Sequence, residues 1–193
     1  MRWRIALVAL FVVVSLVRPS AAQESAAEWA ALAKGGHVAV IRHGNAPPGF
    51  GGDPPGMMIG DCATQRNLDD GGREQARVLG ERFRQHGVRV DRIVSSPMCR
   101  CLDTAALMAV GEVETNWVLL PDLGWATARL PGLKELVSTW RGPGTLVLVS
   151  HGDAIRPLTG ILPNQAEIIV VKPAPDQPRG LEVVGRIWPP LVR

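Results

Sequence analysis

Three places in the chain set an arginine or histidine just after a short apolar run. They are Val38-Ala39-Val40-Ile41-Arg42-His43-Gly44-Asn45, Ile93-Val94-Ser95-Ser96-Pro97-Met98-Cys99-Arg100 and Leu146-Val147-Leu148-Val149-Ser150-His151-Gly152-Asp153. Each apolar run is that of a buried strand and the glycine or proline beyond it is a stop, so each cationic-capable side chain leaves a strand at its carboxyl end. In open α/β sheets, ligands collect at that end. Guanidinium forks at Arg42 and Arg100 fit the oxygens of a phosphate, and an imidazole at His43 or His151 can serve as nucleophile or hydrogen-bond donor. Taken singly, Arg42 reads as a surface ion-pair partner and His151 as a satisfied core histidine. Recurrence at three strand ends favours one anion site. A metal on His43 and His151 is disfavoured, because two nearby arginines repel a divalent cation and no acidic cluster accompanies them. No cofactor is implied.

These segments resemble the histidine phosphatase superfamily, whose members carry Arg-His-Gly after the first strand, an arginine after a Ser-Ser-Pro turn, and a His-Gly-like pair after a later strand. The stretch Leu68-Asp69-Asp70-Gly71-Gly72-Arg73-Glu74-Gln75-Ala76 is similar to the Leu-x-x-x-Gly-x-x-Gln-Ala that opens that family's first long helix. Residue by residue, the resemblance carries over Arg42, His43, Arg100 and His151. It implies a phosphoglycerate-mutase-like three-layer α/β/α sandwich with a mostly parallel sheet. It also implies hydrolysis of a small phosphomonoester through a phosphohistidine on His43, with a backbone carbonyl after the motif fixing the ring's tautomer. Arg42 and Arg100 would grip phosphate oxygens and His151 would add a donor. Asn45, beside the motif, and Arg66, at the end of the loop that follows, join them as candidate substrate contacts. For Arg66 the bland alternative is a solvated arginine at a helix entry.

The expected proton donor is where the pattern departs. Mutase-like members place a glutamate in a Leu-x-Glu pattern after the fourth strand, and here Leu123-Gly124-Trp125 puts tryptophan there. Asp153 and Asp122 are the candidates, with Asp153 preferred because it follows His151-Gly152 at a strand end. The alternative is an acid-free reaction on a good leaving group, as in the bacterial phosphohistidine phosphatases of the superfamily. Two further readings compete: a mutase-type transferase, which the missing glutamate disfavours, and a non-catalytic binder of a phosphoryl ligand.

Arg2 and Arg4 precede an uncharged run over residues 5–17 and then Pro19-Ser20-Ala21-Ala22-Gln23. That order predicts a secretory leader over residues 1–22, cut after Ala22, with one domain over residues 23–193. A run of 13 residues falls short of the roughly 20 that span a bilayer. The expected address is periplasmic or secreted. Of 21 Lys and Arg and 18 Asp and Glu, the leader holds Arg2, Arg4, Arg18 and no acid, so the remainder is formally neutral. The sequence pI near 9.1 therefore gives no ground for a nucleic-acid or anionic-membrane partner; a small phosphorylated substrate is the expected one. In an oxidising compartment, the odd count of Cys62, Cys99 and Cys101 predicts one bridge from Cys62 to either of the others and one free thiol.

Around the motifs, helices are predicted over residues 23–34, 71–85 (preceded by Asp69-Asp70), 98–110, 133–140 and 154–160. Strands are predicted over 37–41, 92–95, 118–120, 145–149, 167–171 and 181–187. Residues 45–66, with four prolines and five glycines, fit neither pattern and are expected to form a substrate-facing loop. Phe50, Met57, Met58 and Ile59 are its candidate pocket-lining residues. His37 and His86 are read as structural.

Overall fold

The structure, a computed structural model, describes residues 25–47, 52–121 and 126–191, without the side chains of residues 126 and 127. The expected leader, Phe50 and Asp122 lie outside the described residues.

Helices and strands alternate: α1 (Ala26–Lys34), β1 (Val38–Arg42), α2 (Asp70–Gln85), β2 (Val90–Ser95), α3 (Cys99–Met108), β3 (Val113–Thr115), α4 (Ala126–Ser138), β4 (Thr145–Ser150), α5 (Gly152–Thr159), β5 (Ile168–Pro173) and β6 (Leu181–Ile187). The six strands form one sheet in the order β3-β2-β4-β1-β5-β6. The first four run parallel, while β5 is antiparallel to β1 and β6 to β5. This is the mostly parallel sheet expected, with an antiparallel pair along one side.

The period of two along the central strands builds the layers. Ala39 and Ile41 of β1 join Val147 and Val149 of β4 in a core with Trp29, Leu79, Phe83 and Met108, so α1, α2 and α3 cover that face. Val38, Val40, Leu146 and Leu148 face the other way and pack on Leu133, Val137, Ile155 and Leu158 of α4 and α5. Strands covered on both faces carry unbroken apolar runs, which explains why β1 and β4 stand out in the sequence.

Local chemistry sets the boundaries. Asp69 caps α2 by accepting from the Gly72 N–H at 2.7 Å. His86 closes that helix and stacks on Trp29 with ring centroids 4.6 Å apart, while the ring of His37 bonds the Gly35 carbonyl at 2.8 Å. Both histidines are thus structural, as read.

Two expectations need correction. Residues 118–120 are not a strand: Asn116 accepts from the Val118 N–H at 3.0 Å and starts a 3-10 turn over Trp117–Leu119, so the strand ends earlier, as β3. Helix α4 starts well before residue 133, at Ala126, and contains Pro131, although proline inside a helix removes a backbone donor. Among the described residues, no helix is long and apolar enough to cross a membrane.

Candidate active site

Register makes the site. Strands β2, β4 and β1 are adjacent and parallel, with Ser95 opposite Val149 and Arg42 opposite Ser150. Their carboxyl ends are therefore level. Arg42 and His43 leave β1 there, His151 leaves β4, and the turn after β2 delivers Arg100 in the first turn of α3. All four motif residues converge at one edge of the sheet.

His43 is 2% exposed, and its Nδ1 donates to the Gly44 carbonyl at 2.8 Å. That bond fixes the tautomer, since a ring that donates from Nδ1 carries its lone pair on Nε2. Gly44 is held in turn: its N–H donates to Thr104 Oγ1 at 3.0 Å, and the Thr104 hydroxyl donates to the Arg100 carbonyl at 2.6 Å. A side chain at Gly44 would strike the Gly72 backbone, and one at Gly72 the Asn45 backbone. Two glycines are what let the Arg-His-Gly turn sit against the start of α2. Burial pushes the His43 pKa from 6.5 down to about 3; the Gly44 bond opposes this, and the charges of Arg100, Arg42 and Arg66 add to it. The ring is neutral over the physiological range.

Three guanidiniums surround it. Arg42 donates from Nη1 to the Pro163 carbonyl at 2.9 Å, and its head lies against Gly152, where an added Cβ would stand 3.4 Å from it. Arg100, its side chain 3% exposed, donates from Nη1 to Asp53 Oδ1 at 2.8 Å. Arg66 donates from Nη1 to the Ala46 carbonyl. In each of the three, the buried Nε–H has no hydrogen-bond partner among the described residues. Burial lowers the pKa of Arg42, Asp153 raises it, and Arg100 lowers it again; for Arg66, burial leads and Arg100 is the next cause. Like charges crowded with unspent donors form an anion receptor.

The ring of His151 is 3% exposed. Its Nε2 is 2.9 Å from Ser96 Oγ and its Nδ1 is 3.4 Å from Arg100 Nη2, so Nε2–H donates to serine while Nδ1 faces the guanidinium. Burial, then Arg100 and His43, hold its pKa well below the usual value.

The loop after β1 is tied down. Cys62 bridges to Cys99 and Cys101 is free and buried, which resolves the pairing left open by the sequence. Gln65 Oε1 accepts from the Cys99 N–H at 2.9 Å, and Asp53 Oδ1 from the Arg66 N–H at 3.0 Å. Burial pushes the Cys101 thiol up to about 12, so it is no nucleophile. Met58, a candidate pocket residue, is 55% exposed.

Of the other candidates, Asn45 is engaged as a brace: its amide donates to Asp69 Oδ2 at 2.6 Å and its N–H to Gln75 Oε1 at 2.8 Å. Asp153 is exposed in the first turn of α5, its Oδ1 accepting from the Ala154 N–H at 3.0 Å. Sequence reasoning missed Asp53, Ser96 and Thr104. Thr104 lies one helical turn after Arg100 and was within reach of the i, i+4 rule; Asp53 sits in a proline and glycine stretch with no periodicity to mark it.

Known proteins resemble the chain in sequence and in fold. Residues 38–124 match the model of the histidine phosphatase superfamily, branch 1. The matched segment is under half of the chain and includes Arg42, His43 and Arg100. It is 31% identical over 81 residues to the mitochondrial serine/threonine-protein phosphatase Pgam5 of Drosophila grimshawi, a match covering 42% of this chain and 24% of that one. The aligned part thus spans about a quarter of that relative's length. Among solved structures, the chain resembles a protein histidine phosphatase SixA in complex with tungstate, at 20% identity and TM-score 0.52 over 79% of this chain and 96% of that one. It also resembles the phosphoserine phosphatase of Entamoeba histolytica in complex with 3-phosphoglyceric acid, at 17% identity and TM-score 0.58 over 78% and 96%. Its relatives and structural neighbours are phosphatases of this superfamily.

Proposed function

We propose that the chain is an exported phosphatase that hydrolyses a small phosphomonoester through a phosphohistidine on His43. One observation carries the reading. A buried neutral imidazole with its lone pair on Nε2 is ringed by three arginines whose Nε–H groups are unspent.

The phosphoryl oxygens take donors from Arg42, Arg100 and Arg66, and charge stabilisation of this kind is commonly the largest catalytic contribution. Nε2 of His43 attacks phosphorus in line while Gly44 holds the ring. Arg100 Nη2 lies at the long distance of 3.4 Å from His151. A phosphate that takes this donor frees Nδ1 of His151, and the other tautomer of that ring can then donate to the same oxygens. Asp153 acts through Arg42, whose charge it offsets. Tungstate, the ligand named for the SixA complex, is an oxyanion of phosphate's shape, which supports an oxyanion as the ligand here.

Residues 1–22 act as a cleaved leader in this proposal and deliver the domain to the periplasm or the exterior. The Cys62–Cys99 bridge supports that address, since bridges persist where the surroundings oxidise.

The test is rapid quenching of the purified chain turning over labelled p-nitrophenyl phosphate. An acid-labile, base-stable phosphoenzyme, with phosphate release matching p-nitrophenol, is expected. Phosphate release without such an adduct would remove the covalent route, and neither product nor adduct would leave a binder only.

A further inference from the structure

We propose that Asp53 is the proton-transferring carboxyl of the site: it protonates the departing oxygen and then takes a proton from the water that frees His43. This rests on the phosphatase reading above.

The position of Asp53 follows from depth. His43 is 2% exposed and the side chain of Arg100 3%, whereas the side chain of Asp53, bonded to Arg100 at 2.8 Å, is 15% exposed. Asp53 thus stands on the solvent side of the arginine that would hold the phosphoryl group. In an in-line transfer the leaving oxygen departs opposite the nucleophile. With the nucleophile at the buried end, that oxygen faces outward, where the carboxyl of Asp53 is.

The loop around Asp53 is held rather than loose. The bonds from Arg100 and from the Arg66 N–H both fall on Oδ1, so the proton travels on Oδ2. The Cys62–Cys99 bridge and the Gln65 bond to the Cys99 N–H fix the same loop against α3. Asp153 is less suited, being exposed and turned to its own helix at Ala154. The sequence carries Trp125 where the resembled family's pattern has glutamate, so a carboxyl that protonates the leaving oxygen comes from elsewhere in the chain.

The steps balance. Nε2 of His43 bonds phosphorus with its lone pair as the ester P–O bond breaks; the bonding pair goes to the ester oxygen, which takes the proton of Asp53 and leaves as an alcohol. Water then attacks phosphorus, the P–N bond breaks with its pair returning to Nε2, and the proton shed by water restores the acid on Asp53.

The test compares wild type with Asp53→Asn on p-nitrophenyl phosphate and on an alkyl phosphate, following the pre-steady-state burst and the turnover. A p-nitrophenolate departs without a proton, so the variant should keep its burst within a few fold and then turn over slowly. On the alkyl phosphate it should lose 10²-fold or more. The burst amplitude counts folded sites, which separates chemistry from misfolding. Equal loss in the burst on p-nitrophenyl phosphate and in the alkyl reaction would make Asp53 a brace for Arg100 and overturn the proposal; wild-type rates on both would do the same. A wild type that releases phosphate without a phosphoenzyme would overturn the covalent route, and one that releases none would overturn the phosphatase reading; either takes this inference with it.

Discussion

The rings of His43 and His151 stand 5.4 Å apart, centroid to centroid, at an interplanar angle of 62°, and they are held by different means. His43 is fixed by the backbone of its own turn, at the Gly44 carbonyl, and His151 by a side chain from another strand end, Ser96. An acceptor supplied by the backbone is out of reach of substitution, so the nucleophile's tautomer is the more robust of the two.

His43→Ala should therefore abolish turnover and phosphoenzyme together, while His151→Ala should slow turnover and still leave a detectable adduct. Steady-state rates with acid and base quenching distinguish the two. An active His43→Ala variant would show that the nucleophile lies elsewhere.

Arg100→Lys should be nearly as damaging as Arg100→Ala. Lysine keeps the charge but cannot serve Asp53, His151 and a phosphate oxygen from one planar fork. A lysine variant with near wild-type kcat/KM for p-nitrophenyl phosphate would show that charge alone is needed there.

The Cys62–Cys99 bridge closes a sequence separation of 37 residues, and its loss should cost about 2–4 kcal/mol. For a domain of this size that lowers Tm by on the order of 5–15 °C. Because the freed loop carries Asp53 and Arg66, the Cys62→Ala/Cys99→Ala variant should also show a raised KM while His43 is still phosphorylated. Calorimetry and Michaelis kinetics under oxidising and reducing conditions check both parts. An unchanged KM would mean that the loop holds its place without the bridge.

How much of this could be seen in the sequence depends on the range of the interaction. Arg42, His43, Arg100 and His151 are marked locally, by apolar runs that end in a turn, and the parallel register of β2, β4 and β1 does the rest. The two sides of β1 and β4 also follow from period two. Asp53 is different, because it owes its place to Arg100, 47 residues away in sequence, across a loop without pattern. The choice of Cys99 over Cys101 depends on which side of α3 faces that loop, and Cys101 turns instead to the buried side, near His151. Asn45 is harder to read: adjacency to the motif suggested a substrate contact, and its amide N–H serves the Asp69 cap of α2, a long-range bond that adjacency could not show.

Asp153→Asn should lower rates about equally on p-nitrophenyl and alkyl phosphates, since its carboxylate acts on the charge of Arg42 rather than on the leaving oxygen. A few-fold to tenfold loss in kcat/KM is expected, in keeping with an exposed charge acting through solvent. A loss confined to the alkyl ester would move the proton donor from Asp53 to Asp153.

Acid stability reports on His43 directly. Its pKa is about 3 in the folded chain against an ordinary 6.5, so between those values the unfolded chain binds a proton at this residue that the folded chain does not. Stability rises with pH wherever the unfolded state binds more protons, so this contribution is fully present above 6.5 and is lost as pH falls toward 3. The slope is about 1.4 kcal/mol per pH unit for one proton. His151 is shifted in the same direction and steepens the loss. Carboxylates titrate too, but they do so in wild type and in His43→Ala alike, and the cavity left by alanine adds an offset that does not vary with pH. The stability difference between the two proteins, measured by urea unfolding from pH 7 to pH 4.5, should therefore shift in favour of His43→Ala as pH falls. A difference that stays constant over that range would mean that the folded ring takes up its proton as readily as the unfolded one, and that burial does not keep the nucleophile neutral.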